Sequence, residues 1–126
     1  MRTSGVLMPI FSLCSKYGIG TLGKEAYNFI DFLKKAGQTY WQILPVGVTS
    51  FGDSPYQSFS SYAGNPYFID LELLAEDVLL NTEEIENFSW GEDALNVDYE
   101  ILYQNRYKIL HIAHSRFTKN IPEDFK

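Results

Sequence analysis

The sequence holds a single cysteine, Cys14, in 126 residues. One thiol cannot close an internal disulfide, and such usage fits a reducing compartment. Basic residues are also scarce: 10 Lys and Arg stand against 16 Asp and Glu, a formal charge of -6. Nucleic-acid binding needs a basic face that displaces counterions, so no nucleic-acid partner is expected. The same deficit argues against an anionic membrane surface. No apolar run approaches the ~18 residues that span a bilayer, and the opening residues do not read as a leader. The expected protein is soluble and cytoplasmic, with no membrane partner. Metal ligands are few. His111 and His114 stand three apart, Cys14 is the other candidate, and a site needs three or four ligands. No metal is therefore expected, and no Ser-His-Asp or Cys-His arrangement has a supporting context. Repeats and low-complexity segments are absent.

What is present is aromatic. Phe, Trp and Tyr make up 16% of a chain that is 45% hydrophobic, and rings in such number must be buried or used. The length suits one small domain with a real core. Ser4 to Ile10 is a short, nearly continuous apolar run, which predicts a strand buried on both faces. Leu22 to Ala36 predicts an amphipathic helix, with Ala26, Phe29, Ile30 and Leu33 on one stripe. Thr21 is its expected N-cap and Gly37 its C′ residue. Gln38 to Leu44 predicts a second strand, stopped by Pro45. Strand, helix and strand in this spacing form a βαβ unit with parallel strands.

Further along, Asp70 to Leu80 predicts a short helix capped by Asp70. Asn81 to Val97 is acidic and mixed, with Thr82 capping a turn; Glu83, Glu84 and Glu86 read as a solvated acidic face. Asp98 to Lys119 predicts a longer helix, with Leu102, Ile109, Leu110, Ala113 and Phe117 on its stripe and Tyr99, Tyr103 and Tyr107 at the margins. Two parallel strands do not make a stable sheet, and a closed parallel barrel needs eight strands and about 250 residues. The chain is thus either a small irregular α+β domain or part of something larger.

Gly18, Gly20 and Gly23 spell a literal G-x-G-x-x-G before a helix. A dinucleotide turn needs its first glycine at the strand end and an acidic residue closing the next strand. Neither condition holds, so these glycines read as a tight turn that supplies positive φ. The stretch Phe51 to Asp70, FGDSPYQSFSSYAGNPYFID, has neither helical nor strand periodicity. It carries Tyr56, Phe59, Tyr62 and Tyr67 among hydroxyls, and Asp53-Ser54-Pro55-Tyr56 reads as a turn. Disordered segments are poor in aromatics, whereas a long aromatic loop is usually functional or packs its own satellite core. In parallel α/β architectures, ligands bind beyond the carboxyl ends of the strands, which is where this loop starts. Rings among short polar side chains suit a flat ligand rich in hydroxyls, such as a sugar.

Three motifs carry a resemblance. SGVLMPIFSL, then YGIGTLGKEAYNFIDFLKKAGQTYWQILPVG, then GDSPYQSFSSYAGNPYFIDLELL, closely resemble the start of the 4-α-glucanotransferases. This is the amylomaltase or disproportionating-enzyme family, glycoside hydrolase family 77. The resemblance is dense from Ser4 to Leu80 and thin thereafter. It implies an α/β fold: an incomplete (β/α)8 TIM barrel, with residues 1–126 forming its amino-terminal part as two strand–helix units plus a helical insertion. It implies transfer of α-1,4-glucan segments between maltooligosaccharides by a retaining double displacement, which uses closely spaced carboxyls. Those carboxylates would lie on later strands, so none is assigned here and the chain alone is expected to be inactive. The alternative is a free-standing, non-catalytic glucan-binding module.

By the resemblance, Tyr56 matches the tyrosine that packs on the donor-side sugar next to the cleavage point. Ser54 matches a nearby polar contact. Phe51 falls where many members place a tyrosine of a secondary glucan-binding surface. Asp53 belongs to the motif and is included among the substrate-binding residues, chiefly as a shaper of the loop with Gln57 and Asn65. Cys14 and Lys16 depart from a Ser-Leu-Pro-Ser-Pro pattern, which loosens the first loop. The implied partners are α-1,4-glucans and the remainder of the barrel; no cofactor is implied.

Overall fold

In the computed structural model, residues 2–50 and 52–121 are described. Two strands, β1 (Gly5–Leu7) and β2 (Tyr40–Gln42), pair in parallel, with Val6 opposite Trp41. The strands are shorter than the apolar runs predict. Pro9 has no N–H to continue the ladder, so the last bond of β1 is Met8 N–H to the Gln42 carbonyl at 3.0 Å. Ile10 then turns into a 3₁₀ segment, Ile10–Ser12. The predicted burial on both faces is also corrected: Gly5 and Leu7 are exposed, because among the described residues nothing packs over the face they occupy. Trp41 closes the strand end by donating its indole N–H to the Met8 carbonyl at 2.7 Å.

Helix α1 (Lys24–Lys35) crosses between the strands. Its C-terminus follows the expected chemistry. Gly37 lies at φ +70, Gln38 N–H reaches the Leu33 carbonyl and Gly37 N–H reaches the Lys34 carbonyl, a Schellman closure. Its N-terminus does not. Gly23, not Thr21, occupies the N-cap, and the Thr21 hydroxyl instead donates to the Asp70 carboxylate. Of the expected stripe, Ala26 and Leu33 are buried and Phe29 is half-buried, but Ile30, contrary to expectation, is exposed, as are Tyr27 and Phe32 outside it.

The later elements are helical. Helix α2 (Leu71–Glu76) is capped as predicted: Asp70 Oδ1 accepts from the N–H groups of Glu72 and Leu73. Helix α3 (Thr82–Glu86) replaces the expected turn. Asn81 is its N-cap, and the Glu84 side chain accepts from the Asn81 N–H at 2.9 Å in a capping box. Glu84 is therefore structural rather than part of a solvated face: Arg116 grips both of its carboxylate oxygens, at 2.7 and 2.5 Å. Helix α4 (Tyr99–Lys119) starts where Asp98 accepts from the Ile101 N–H. Its stripe of Leu102, Ile109 and Ala113 meets Leu71, Leu80, Ile85 and Trp90 in the core. Arg106 lies in the same stripe and is completely buried. Among the described residues no helix is long and apolar enough to cross a membrane. The result is a small mixed α/β fold in which one parallel strand pair is followed by a helical layer.

Candidate functional site

The aromatic loop leaves the carboxyl end of β2 and is pinched at its neck. Gly47 and Gly64 form an antiparallel bridge, and Asn65 N–H donates to the Val46 carbonyl at 2.8 Å. Short-range bonds then shape it. Gln57 N–H reaches the Ser54 carbonyl at 3.1 Å, closing a turn with Pro55 in second position. Ser58 Oγ donates to the Ser60 carbonyl at 2.7 Å, and Ser60 Oγ accepts from Ala63 N–H at 3.1 Å. At the exit, Asn65 Oδ1 accepts from Tyr67 N–H and opens a 3₁₀ turn, Pro66–Phe68. The loop is ordered by its own hydroxyls rather than by an apolar filling.

That leaves its rings divided. Tyr67 is buried against Tyr107, with centroids 5.6 Å apart, and joins the main core with Leu71 and Leu102 rather than a satellite core under the loop. Burial pushes its phenol up to about 12, with smaller contributions from Tyr107 and Asp53. Tyr56, Phe59 and Tyr62 are 72%, 76% and 100% exposed. A ring face in water is free to pack on the CH groups of a sugar.

Asp53 and Ser54 are half-buried. Asp53 takes φ +53, an unusual backbone position for a residue with a side chain. It lines a cleft of about 500 Å³ with Ser50, Asn65, Tyr99, Tyr103 and Tyr107. Ser54 and Tyr56 lie outside that cleft lining, on the turn that follows it; Ser54 Oγ accepts from Tyr56 N–H at 3.4 Å. Phe51 lies outside the described residues. The structure thus brings Asp53 to a cleft and sets Ser54 and Tyr56 beside it. The three tyrosines of α4 were legible as a ridge, since 99, 103 and 107 recur every four residues, yet as stripe margins they carried no site role in the sequence. Burial raises the phenols of Tyr99 and Tyr107 above their ordinary value.

Two other features resolve against chemistry. A second groove of about 440 Å³, lined by Pro66, Ile69, Leu74, Leu110 and Phe117 with His111 and His114, is almost wholly apolar and offers little to a polyol. The glycines of G-x-G-x-x-G face protein rather than an open phosphate cradle. A Cβ on Gly20 would stand 2.0 Å from the Ile10 carbonyl oxygen, and one on Gly23 2.0 Å from Asp70 Oδ2. Only Gly18 has the expected positive φ, +83; the other two are required for close approach. Among the described residues, no three His, Cys, Asp or Glu side chains group as a metal site.

The family model of 4-alpha-glucanotransferase matches residues 8–126. The chain is 52% identical over 118 residues to a 4-alpha-glucanotransferase of Clostridium butyricum, covering 94% of this chain and 24% of that protein. It is 48% identical over 124 residues to the 4-alpha-glucanotransferase of Thermus thermophilus, covering 98% of this chain and 24% of that protein. Among solved structures, the amylomaltase of Streptococcus agalactiae in complex with acarbose superposes with a TM-score of 0.92 at 49% identity, over 96% of this chain and 24% of that one. The chain spans about a quarter of the length of the relatives it matches. With a family match over residues 8–126, from just after β1 through α4, the chain belongs to glycoside hydrolase family 77, the 4-alpha-glucanotransferases.

Proposed function

We propose that this chain is the amino-terminal part of a 4-α-glucanotransferase, residues 1–126 of an incomplete (β/α)8 barrel, and that its aromatic loop forms the donor-sugar side of the cleft. The observation that carries the reading is the TM-score of 0.92 to an amylomaltase in complex with acarbose, over 96% of this chain. The reaction is transfer of α-1,4-glucan segments between maltooligosaccharides, by a retaining double displacement that needs two carboxyls close together. Those carboxyls belong to the remainder of the barrel, which is this chain's partner; no cofactor takes part, and the setting is cytoplasmic. Tyr56 stacks on the sugar beside the cleavage point and Ser54 supplies a polar contact. Asp53 shapes the loop and lines the adjoining cleft. That cleft is a second place for glucan to lie; Phe51 is assigned to a secondary glucan-binding surface by its resemblance to the family alone.

Incubation of this chain with maltotriose tests the division of labour. The expected result is no glucose and no longer maltodextrin; turnover would mean that its own carboxylates suffice. In the complete transferase, Tyr56→Ala is expected to lower kcat/KM about tenfold, the size of one well-placed contact. Unchanged kinetics would remove Tyr56 from the site. Calorimetry with maltooligosaccharides on this chain addresses the binding-module alternative: tight, saturable binding without turnover would favour it.

A further inference from the structure

Arg106 sits on α4, four residues after Leu102 and three before Ile109, where the stripe calls for an apolar side chain. It is completely buried. Nη2 donates to the Tyr67 carbonyl at 3.1 Å and to the Ile69 carbonyl. The guanidinium lies 5.7 Å over the Trp90 ring, and Nε and Nη1 have no hydrogen-bond partner among the described residues. Burial lowers its pKa to about 10, opposed by the Asp70 carboxylate, so the group is charged at neutral pH.

Burying a guanidinium costs several kcal/mol, and well-packed apolar replacements of such groups are often neutral or stabilising. Stability alone would favour leucine or methionine here. What arginine adds is direction, because one nitrogen holds two carbonyls at the base of the aromatic loop. Tyr67 and Ile69 bracket the end of the turn into which that loop exits. The same helix meets the loop a second time, where Tyr99, Tyr103 and Tyr107 line the cleft with Asp53, three residues before Tyr56. Helix α4 is therefore the platform of the loop, and Arg106 its fixed point.

We propose that Arg106 is a positioning residue for sugar binding: its hold on the Tyr67 and Ile69 carbonyls sets where residues 53–56 stand over the donor. This rests on the reading of the loop as the donor-sugar wall. The test uses the complete transferase with Arg106→Met, Arg106→Lys and, as a control, Arg116→Met, which breaks the Glu84 pair elsewhere on α4. For Arg106→Met the expected result is a KM for maltotriose raised about fivefold or more with kcat within about twofold, since what is lost is binding common to ground and transition states. Arg106→Lys, which keeps the charge and one donor, should recover part of it, and Arg116→Met should lower the melting temperature without moving KM. A folded Arg106→Met enzyme with wild-type KM overturns the proposal. If Arg106→Met does not fold, hydrogen exchange on Arg106→Lys decides. Faster exchange of amides 53–64 with α4 unchanged supports the proposal, and unchanged loop protection overturns it. Tyr56→Ala keeps the two readings apart. If it leaves KM unmoved, the donor-wall reading falls first. If it raises KM while Arg106→Met does not, only this inference falls.

Discussion

Leu71, Leu102 and Ile109 have no exposed surface, while Leu7 and Tyr40 are 54% and 61% exposed. The first group lies in the helical layer, the second on the strand pair. The strand pair is no less apolar in sequence than the helical layer, so apolarity does not explain the difference. In the helical layer the covering residues come from α2, α3 and α4 and also from Ile10, Tyr17, Ile19, Tyr67, Phe68 and Trp90, which close over them. One face of the strand pair meets α1, where Phe29 packs edge-on against Trp41 with centroids 5.0 Å apart; the opposite face, which carries Leu7 and Tyr40, has no second layer among the described residues. On the proposed reading, later strands and helices of the barrel supply it. An apolar run tells which residues need cover; the partner that covers them is a matter of topology.

Truncation on the closed side should have the largest effect. Leu102→Ala is expected to cost about 2–5 kcal/mol in urea unfolding, since a buried leucine leaves a cavity, whereas Leu7→Ala should stay within about 0.5 kcal/mol. Equal costs would erase the contrast between the two regions. Next comes the seam between them. Gly23→Ala would bring a Cβ to 2.0 Å from Asp70 Oδ2, and the forced shift should cost about 1–3 kcal/mol. A neutral result would mean that the seam yields freely. The smallest effect is electrostatic. Arg116 and the Asn81 N–H hold the Glu84 carboxyl at about 2, below its usual 4.5. A lowered carboxyl pKa stabilises the fold above the ordinary value, and that contribution is lost as pH falls from about 4.5 through about 2. Glu84→Gln should therefore lower the urea midpoint at neutral pH, with the difference shrinking over that window. A gap independent of pH would assign the role of Glu84 to shape rather than charge.

Much of this was legible because it is local. Asp70 as a cap, Gly37 as a C′ residue and the turn through Pro55 each depend on a few neighbouring residues. The Asn81–Glu84 capping box was equally local, but the acidic run around it obscured it. The rest depends on distance along the chain. Thr21 gave up its capping role for Asp70, 49 residues away, and no local pattern announces such a partner. Arg106 was passed over because a charge in an apolar stripe reads as noise until its carbonyls are in place. At the site, composition marked Tyr56, Phe59, Tyr62 and Tyr67 as buried or used without saying which, and only the fold separates the exposed three from Tyr67. The meeting of Asp53 with the α4 tyrosines required the helix to be docked.

The strand pair also bears on how the protein is made. The Schellman closure at Gly37 and the parallel register from Gly5 to Gln42 draw on a short, contiguous stretch of chain, residues 4–42. Its two strands then present outer edges to whatever is nearby, and open parallel edges are templates for foreign strands. Until something pairs with them, this stretch is open to adhesion, which makes it a natural point of engagement for chaperones during folding.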